Sequence, residues 1–361
     1  MSEVVTLNVD GKIWDGWTDM TINRSLDNIA GEFDLTITAR WSSAAPRAIK
    51  PGMPCVVNIG SDRVLTGYID DYIPSYDAEN VAIRVLGRDK TGDLVDSSVV
   101  DKSGQWRGQK LETMATTLCK PYGIEVINET DTGEAFSGIT LEQGETVFEL
   151  LDRLAKQRGV LVTSDAWGRL VITRASTHRA GVALVLGDNI LAARGRFSWQ
   201  GRASQYIVKG SAAAGGTTWD DQPTKVVGGR QVVVTDSEIT RYRPKILVNE
   251  DNLTVGGASA RGEWYKAKAL GDANTTEITV AGWRENGKTG PLWQINRQAV
   301  IKDAIQQLDV TWLIKSVSFM EGDNGRITVL SLVPPESMDM PAEKAKGKKG
   351  KKKATVGATW D

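Results

Sequence analysis

The sharpest chemical signal in the chain is Gly282-Trp283-Arg284-Glu285-Asn286-Gly287-Lys288-Thr289, which satisfies the phosphate-loop spacing G-x-x-x-x-G-K-[ST]. In a working loop of that kind the glycines let backbone N–H groups wrap the phosphates, and a helix starting at the lysine aims its dipole at them. Here Gly290-Pro291 follows, then Leu292-Trp293-Gln294-Ile295-Asn296 with no 3.6-residue stripe, so the segment reads as a β connection. A P-loop-like NTPase using Lys288 is the enzymatic alternative. Asp131-Thr132-Gly133 matches the aspartic-protease triplet, yet Asn128-Glu129-Thr130 before it is polar where that loop needs a buried strand, which predicts a solvated turn. His178, the single histidine, sits in the polar stretch 175–179 and reads as a surface residue. A zinc centre needs three or four converging ligands, and nucleophilic catalysis needs a placed imidazole. Asp70-Asp71 and Asp220-Asp221 are sequence neighbours; in a strand their side chains point to opposite faces and do not make an acid–base pair. No catalytic, cofactor-binding or metal-binding residue is expected.

The elements that must carry these residues are those of an ordinary globular body, with 40% hydrophobic and 25% charged residues. The longest apolar runs, such as 181–186, are far too short to span a bilayer. The start, MSEVVTLNVDGK, lacks the basic and apolar regions of a signal peptide. Cys55 and Cys119 are not at ligand spacing and read as buried thiols in a reducing compartment. Net charge is −1, but residues 341–361 carry +5 and the remaining body −6. An acidic body argues against a nucleic-acid grip, which needs clustered Lys and Arg. In the tail, Lys344, Lys346, Lys348, Lys349, Lys351, Lys352 and Lys353, with Trp360, are the candidate partner-binding residues. They read either as a solvated disordered end or as an electrostatic arm for an acidic partner or nucleic acid.

Val64 to Asp96 reads as strand, acidic turn at 77–80, then the alternating strand Val81, Ile83, Val85. A rough copy recurs at 308–333, where an apolar run again precedes an acidic turn (321–325) and a second strand. Leu35–Trp41 resembles Ile278–Trp283 at offsets of 243 and 242, and Ile69 faces Ile314 at 245, which predicts two related β modules. Between them the texture changes. Leu111, Met114, Ala115 and Leu118 make one helical stripe, Val147, Leu150, Leu151 and Leu154 another capped by Gly159, and 160–163 with 170–173 form a hairpin. Strands are expected at 182–186, 206–209 and 232–234, and a helix at 255–270. The predicted fold class is mainly β with an α+β insert: two tube-like β-barrel domains related by internal duplication, plus smaller α+β domains. The predicted division is 1–96 first barrel, 97–175 α+β insert, 176–235 with 274–335 second barrel, 236–273 a small inserted segment with a helix, and 336–361 a disordered Lys-rich tail.

Several segments in this order resemble one family. Gly67-Tyr68-Ile69-Asp70, the run 87–96 (GRDKTGDLVD), Gly144-Glu145-Thr146, Arg241-Tyr242-Arg243-Pro244, Gly282-Trp283 and Leu292-Trp293 with Asn296 are similar to the baseplate hub protein of Mu-like contractile-tailed phages, also called tail protein P. The resemblance spans residues 4 to 335; the tail lies outside it. That family is related to other myophage hubs and to the N-terminal part of type VI secretion spike proteins. The resemblance implies a structural, non-enzymatic homotrimer without cofactors, in which two barrels per chain adapt a sixfold tail tube to a threefold spike. The implied partners are the central spike protein, the tail tube protein, the baseplate wedge proteins, the tape-measure protein and DNA passing without specific binding, with no stable membrane insertion. The implied location is the virion tail baseplate, assembled in the host bacterial cytoplasm. A type VI secretion or tailocin hub is the alternative machine.

Overall fold

In a computed structural model, the described residues are 3–40, 49–101, 104–210, 231–249, 255–287, 289–323 and 325–339. The N-terminal β region holds β1 (Val5–Val9), β2 (Lys12–Trp14), β3 (Asp19–Ser25), β4 (Glu32–Arg40), β5 (Pro54–Ile59), β6 (Asp62–Tyr76) and β7 (Asn80–Asp89). Their alternation is that of half-buried strands: Val5, Leu7 and Val9 point inward, as do Cys55, Val57 and Ile59. β6 is long because it serves two neighbours. Its first half pairs with β5, its second with β7, and a bulge between Ile69 and Asp71 re-aims it between the two.

The insert follows, with α1 (Gly92–Asp96), β8 (Gln105–Trp106), α2 (Leu111–Cys119), β9 (Val126–Asn128), β10 (Ile139–Thr140), α3 (Val147–Arg158), β11 (Leu161–Ser164) and β12 (Leu170–Thr173). The expected stripes of α2 and α3 face each other across a core with Trp106, Phe136 and Ile172. α3 begins in a capping box between Thr146 and Glu149 and ends at Gly159, whose φ of 65° is the left-handed cap. β11 and β12 pair as the expected hairpin.

The C-terminal β region comprises β13 (Leu184–Val185), β14 (Ile190–Phe197), β18 (Asn274–Ala281), β19 (Gln298–Asp303), β20 (Leu308–Gly322) and β21 (Gly325–Val333). Three further strands, β15 (Gln205–Gly210), β16 (Gln231–Thr235) and β17 (Pro244–Asn249), make a sheet of their own, ordered β16-β15-β17. Helix α4 (Val255–Ala273) covers it, packing on Tyr206, Val208 and Val234. Gly262 is tolerated in α4 because a Cβ there would meet the Val234 side chain at 2.6 Å, so the helix lies close on the sheet. The strands at 206–209 and 232–234, expected to complete the second β module, thus belong with the helix at 255–273. Alternation shows that a strand needs neighbours but does not name them.

The two β regions share one sheet of 13 strands, whose main path runs β14-β18-β21-β20-β3-β4-β7-β6-β5-β1-β2, with β19 also on β20 and β13 on β19. Among the described residues this path does not close, which corrects the expectation of two barrels. The reason lies in one ladder: the outer edge of β3 is taken by β20, from Ser316↔Ser25 to Glu321↔Met20. An edge that could close the first region on itself instead joins the two regions. Their apolar faces merge accordingly into one core, from Leu7, Ile22 and Val85 to Ile278, Ile314 and Phe319.

Candidate assembly interface

The family-resembling segments of the first region prove to be packing and clamping residues. Gly67 and Gly87 lie where β6 and β7 approach most closely: a Cβ on Gly67 would come within 1.9 Å of the Arg88 carbonyl oxygen, and one on Gly87 within 2.3 Å of the Tyr68 carbonyl oxygen. Arg88 donates from Nε to Asp70 at 2.7 Å and from Nη2 to Asp96 at 2.6 Å, tying the β6 bulge to α1. Asp89 is buried and collects four donors: the N–H of Gly31, the N–H and hydroxyl of Thr91, and the hydroxyl of Ser164. Burial pushes its carboxyl above the usual range; the bonds from Ser164, Thr91 and Gly31 and the charge of Arg24 act against that shift. These donors come from the β3–β4 loop, the turn before α1 and strand β11, so one carboxylate ties the first β region to the insert. The turn before β12 adds to the seam, with Thr66 Oγ1 donating to the Ala166 carbonyl at 2.8 Å.

The phosphate-loop match is a connection between β strands. Gly282 has φ 74°, and its missing Cβ makes room for the Gly287 carbonyl oxygen at 2.4 Å. Trp283 is fully buried and donates its indole N–H to the Met320 carbonyl at 3.0 Å. Arg284 reaches the other β region, pairing with Glu3 and Asp62 at 2.5 Å each. The described residues after the loop lead into β19, not into a helix, so no dipole faces a phosphate. Lys288 itself lies outside the described residues.

The other candidates scatter. In the protease-like triplet, Gly133 N–H donates to Asp131 Oδ1, an Asx turn, while Thr132 is buried and its hydroxyl bonds Glu112. The turn is therefore docked on α2, not solvated throughout. His178 is exposed, as expected. Asp70 sits on Arg88, whereas Asp71 is exposed. Asp220, Asp221, the tail lysines from Lys344 to Lys353 and Trp360 lie outside the described residues. Among the described residues no group of three His, Cys, Asp or Glu side chains is placed to hold a metal, and no helix is long and apolar enough to cross a membrane. Cys55 and Cys119 are free and buried, and burial pushes both thiols up to about 12.

What this arrangement offers is sheet edge. Among the described residues β14 pairs only with β18, and residues 71–75 of β6 have no strand partner besides β7. Leu191 and Phe197 are exposed on the first edge, Ile73 and Tyr76 on the second. Sequence reading missed β14 altogether, because Leu191-Ala192-Ala193-Arg194-Gly195-Arg196 has no inward/outward alternation to detect.

The match to known proteins is to tail machinery. Residues 4–89 match the family profile "Mu phage baseplate assembly protein GpP-like, N-terminal", residues 91–174 "Baseplate hub protein gp44-like, second domain", and residues 254–341 "Mu phage baseplate assembly protein GpP, fourth domain". The chain is 37% identical over 356 residues to the baseplate hub protein gp44 of Escherichia phage Mu, covering 97% of this chain and 93% of that protein. A 43 kDa tail protein of prophage MuSo2 from Shewanella oneidensis is 49% identical, with a TM-score of 0.85 over 94% of this chain and all of that one. A tail protein from Neisseria meningitidis MC58 shares the fold at 23% identity, with a TM-score of 0.78 over 94% of this chain and 99% of that one. The chain belongs to the Mu-type baseplate hub family of phage tails. Its members are structural proteins, not enzymes.

Proposed function

We propose that the chain forms a homotrimeric ring at the tip of a contractile phage tail, fitting a sixfold tube to a threefold spike. The observation that carries this reading is a parallel in strand order: β4-β7-β6-β5 in one region and β18-β21-β20-β19 in the other. The long strands even bulge at equivalent places, Asp70 in β6 and Lys315 in β20, at the 245-residue offset seen in the sequence. We read the two as copies of one unit, so that three chains present six similar units around an axis while remaining a closed threefold assembly.

In this reading the tail tube protein stacks on the pseudo-sixfold face and the spike protein on the threefold face, with wedge proteins outside. Tape-measure protein and DNA pass through a channel that the acidic body keeps from binding phosphate. Assembly takes place in the host cytoplasm before the virion is complete. The strand pairings support a division into 1–96, 97–175, a second β unit of 176–197 with 274–335, an insertion at 198–273, and the tail at 336–361. Identity to phage and prophage tail proteins favours a phage hub over a secretion-machine hub. Light scattering tests the ring: a native mass of three 39.2 kDa chains is expected, and a monomer at every concentration would overturn it.

A further inference from the structure

Within one chain the two β regions meet through a specific joint, β20 on β3. Leu26 N–H donates to the Lys315 carbonyl at 2.9 Å, so in this antiparallel ladder Val317, Phe319 and Glu321 exchange hydrogen bonds with Arg24, Ile22 and Met20. The pairing registers also define the counterpart of each strand in the other region. β6 corresponds to β20 at an offset of 245, and β14 corresponds to β3 at an offset of 173, the latter through β4 and β18. Among the described residues, β14 and the outer part of β6 are left open at these two counterpart places; the short end strands β2 and β13 of the sheet are also open but are not counterparts of β3 or β20.

We propose that this same joint is made a second time between copies. The open edge of β14 pairs antiparallel with the open edge of β6 in the next copy, with Tyr72 opposite Phe197, Pro74 opposite Gly195 and Tyr76 opposite Ala193. The proposal rests on the trimeric-ring reading and adds to it the strands and their register.

Hydrogen-bond parity supports the register independently of the offsets. Asp77 N–H donates to the Asn80 carbonyl at 2.9 Å, so residues 71, 73 and 75 turn their backbone groups toward β7, while 72, 74 and 76 turn theirs outward. Ser198 N–H donates to the Ala273 carbonyl at 3.0 Å, so 194 and 196 face β18, while 193, 195 and 197 face outward. Those outward sets are the ones the internal joint brings together; a register shifted by one residue would oppose groups that already have partners. The side chains fit as well. Arg194 would stand opposite Ser75 and diagonal to Asp77, and Arg196 opposite Ile73 and diagonal to Asp71, so two cations meet two carboxylates. Pro74 has no N–H, so the joint between copies has one donor fewer than the internal one, which also makes β6 a poor template for unrelated strands.

Ser75 and Arg194 would be a directly opposed pair without mutual hydrogen bonds, with Cα atoms about 4.5 Å apart, within the roughly 4.4–6.8 Å that a disulfide bridges. Full-length Ser75→Cys/Arg194→Cys, assembled and treated with diamide, is expected to give dimers and trimers on a non-reducing denaturing gel, with over half the chains cross-linked. Ile73→Cys/Arg196→Cys, a second opposed pair, should behave alike and guards against a local defect in the first. Ser75→Cys/Ser198→Cys, four residues out of register or about 13 Å, should cross-link at least tenfold less. Equal cross-linking of this control would overturn the register. A native mass of three chains with no cross-link in either opposed pair would overturn the joint and leave the ring standing. A monomer before oxidation would overturn both.

Discussion

The two β regions lay four strands in the same order yet fill the same places differently. In the first, Phe33 on β4 lies opposite Gly87 on β7; in the second, Thr276 on β18 lies opposite Leu332 on β21. The bulk lies on opposite strands of the two pairs: an aromatic on β4 over a glycine in one, a branched aliphatic on β21 over a small polar residue in the other. At the position where β6 has Gly67, β20 has Trp312, which packs near Phe197 with ring centroids 6.3 Å apart. Where the first region ends in Asp89, the buried hub of the seam to the insert, the second ends in Pro334. The hairpin loops differ most: β3 and β4 are joined by six residues, whereas the helix-covered sheet of 198–273 sits between β14 and β18. A pleated order constrains total volume and backbone pairing, while the residue at each place and the length of each loop can change.

That comparison can be broken by mutation. Trp312→Ala should have the largest effect, since an indole that is only 8% exposed is replaced by a cavity; a loss of about 3–5 kcal/mol in denaturant unfolding is expected. Gly87→Leu imports the second region's residue into the first, against the Phe33 ring at 2.6 Å and the Tyr68 carbonyl at 2.3 Å. It should cost about 1–3 kcal/mol or more from overpacking. Adding Phe33→Thr, which transplants the whole pair, should recover part of the loss. An additive double-mutant cycle would show that the two places are not equivalent.

Asp89→Ala should come next, because it leaves buried donors on Gly31, Thr91 and Ser164 unsatisfied, at about 1–3 kcal/mol. Its distinctive sign is that protease sensitivity rises between residues 89 and 100 before the rest of the β sheet opens. Pro334→Ala in the second region should show no such change. Smaller still, Pro74→Ala restores an N–H to the open edge of β6 and should stabilise the assembled ring by about 1 kcal/mol per joint, the net worth of a hydrogen bond, read as tighter association on dilution. The smallest effect is expected from thiol reagents at pH 8. Cys55 and Cys119, both held as thiols by burial, should stay unmodified in the folded protein and react fully in denaturant.

Much of the architecture was legible because it rests on local patterns. Apolar runs exposed β6 and β20 and alternation exposed β7 and β21, and the 245-residue offset between Ile69 and Ile314 recurs between the two bulges. The stripes of α2 and α3 and the Gly159 cap needed only helical periodicity. The false leads also failed on local grounds, since Gly290-Pro291 cannot begin the helix a phosphate loop needs.

Partner choice was not legible. β14 has no alternation because its side chains are exposed, and β15 and β16 look like any strands until α4 claims them. The composition, periodicity and spacing of the residues determined most of the segments that become strands and helices, and gave no ground for expecting a catalytic set. Only the tertiary structure decided that β3 takes β20 and thereby leaves β6 and β14 open. A backbone ladder can satisfy its N–H and C=O groups with any strand of fitting register, so the choice among candidates is made by the packing of the whole core.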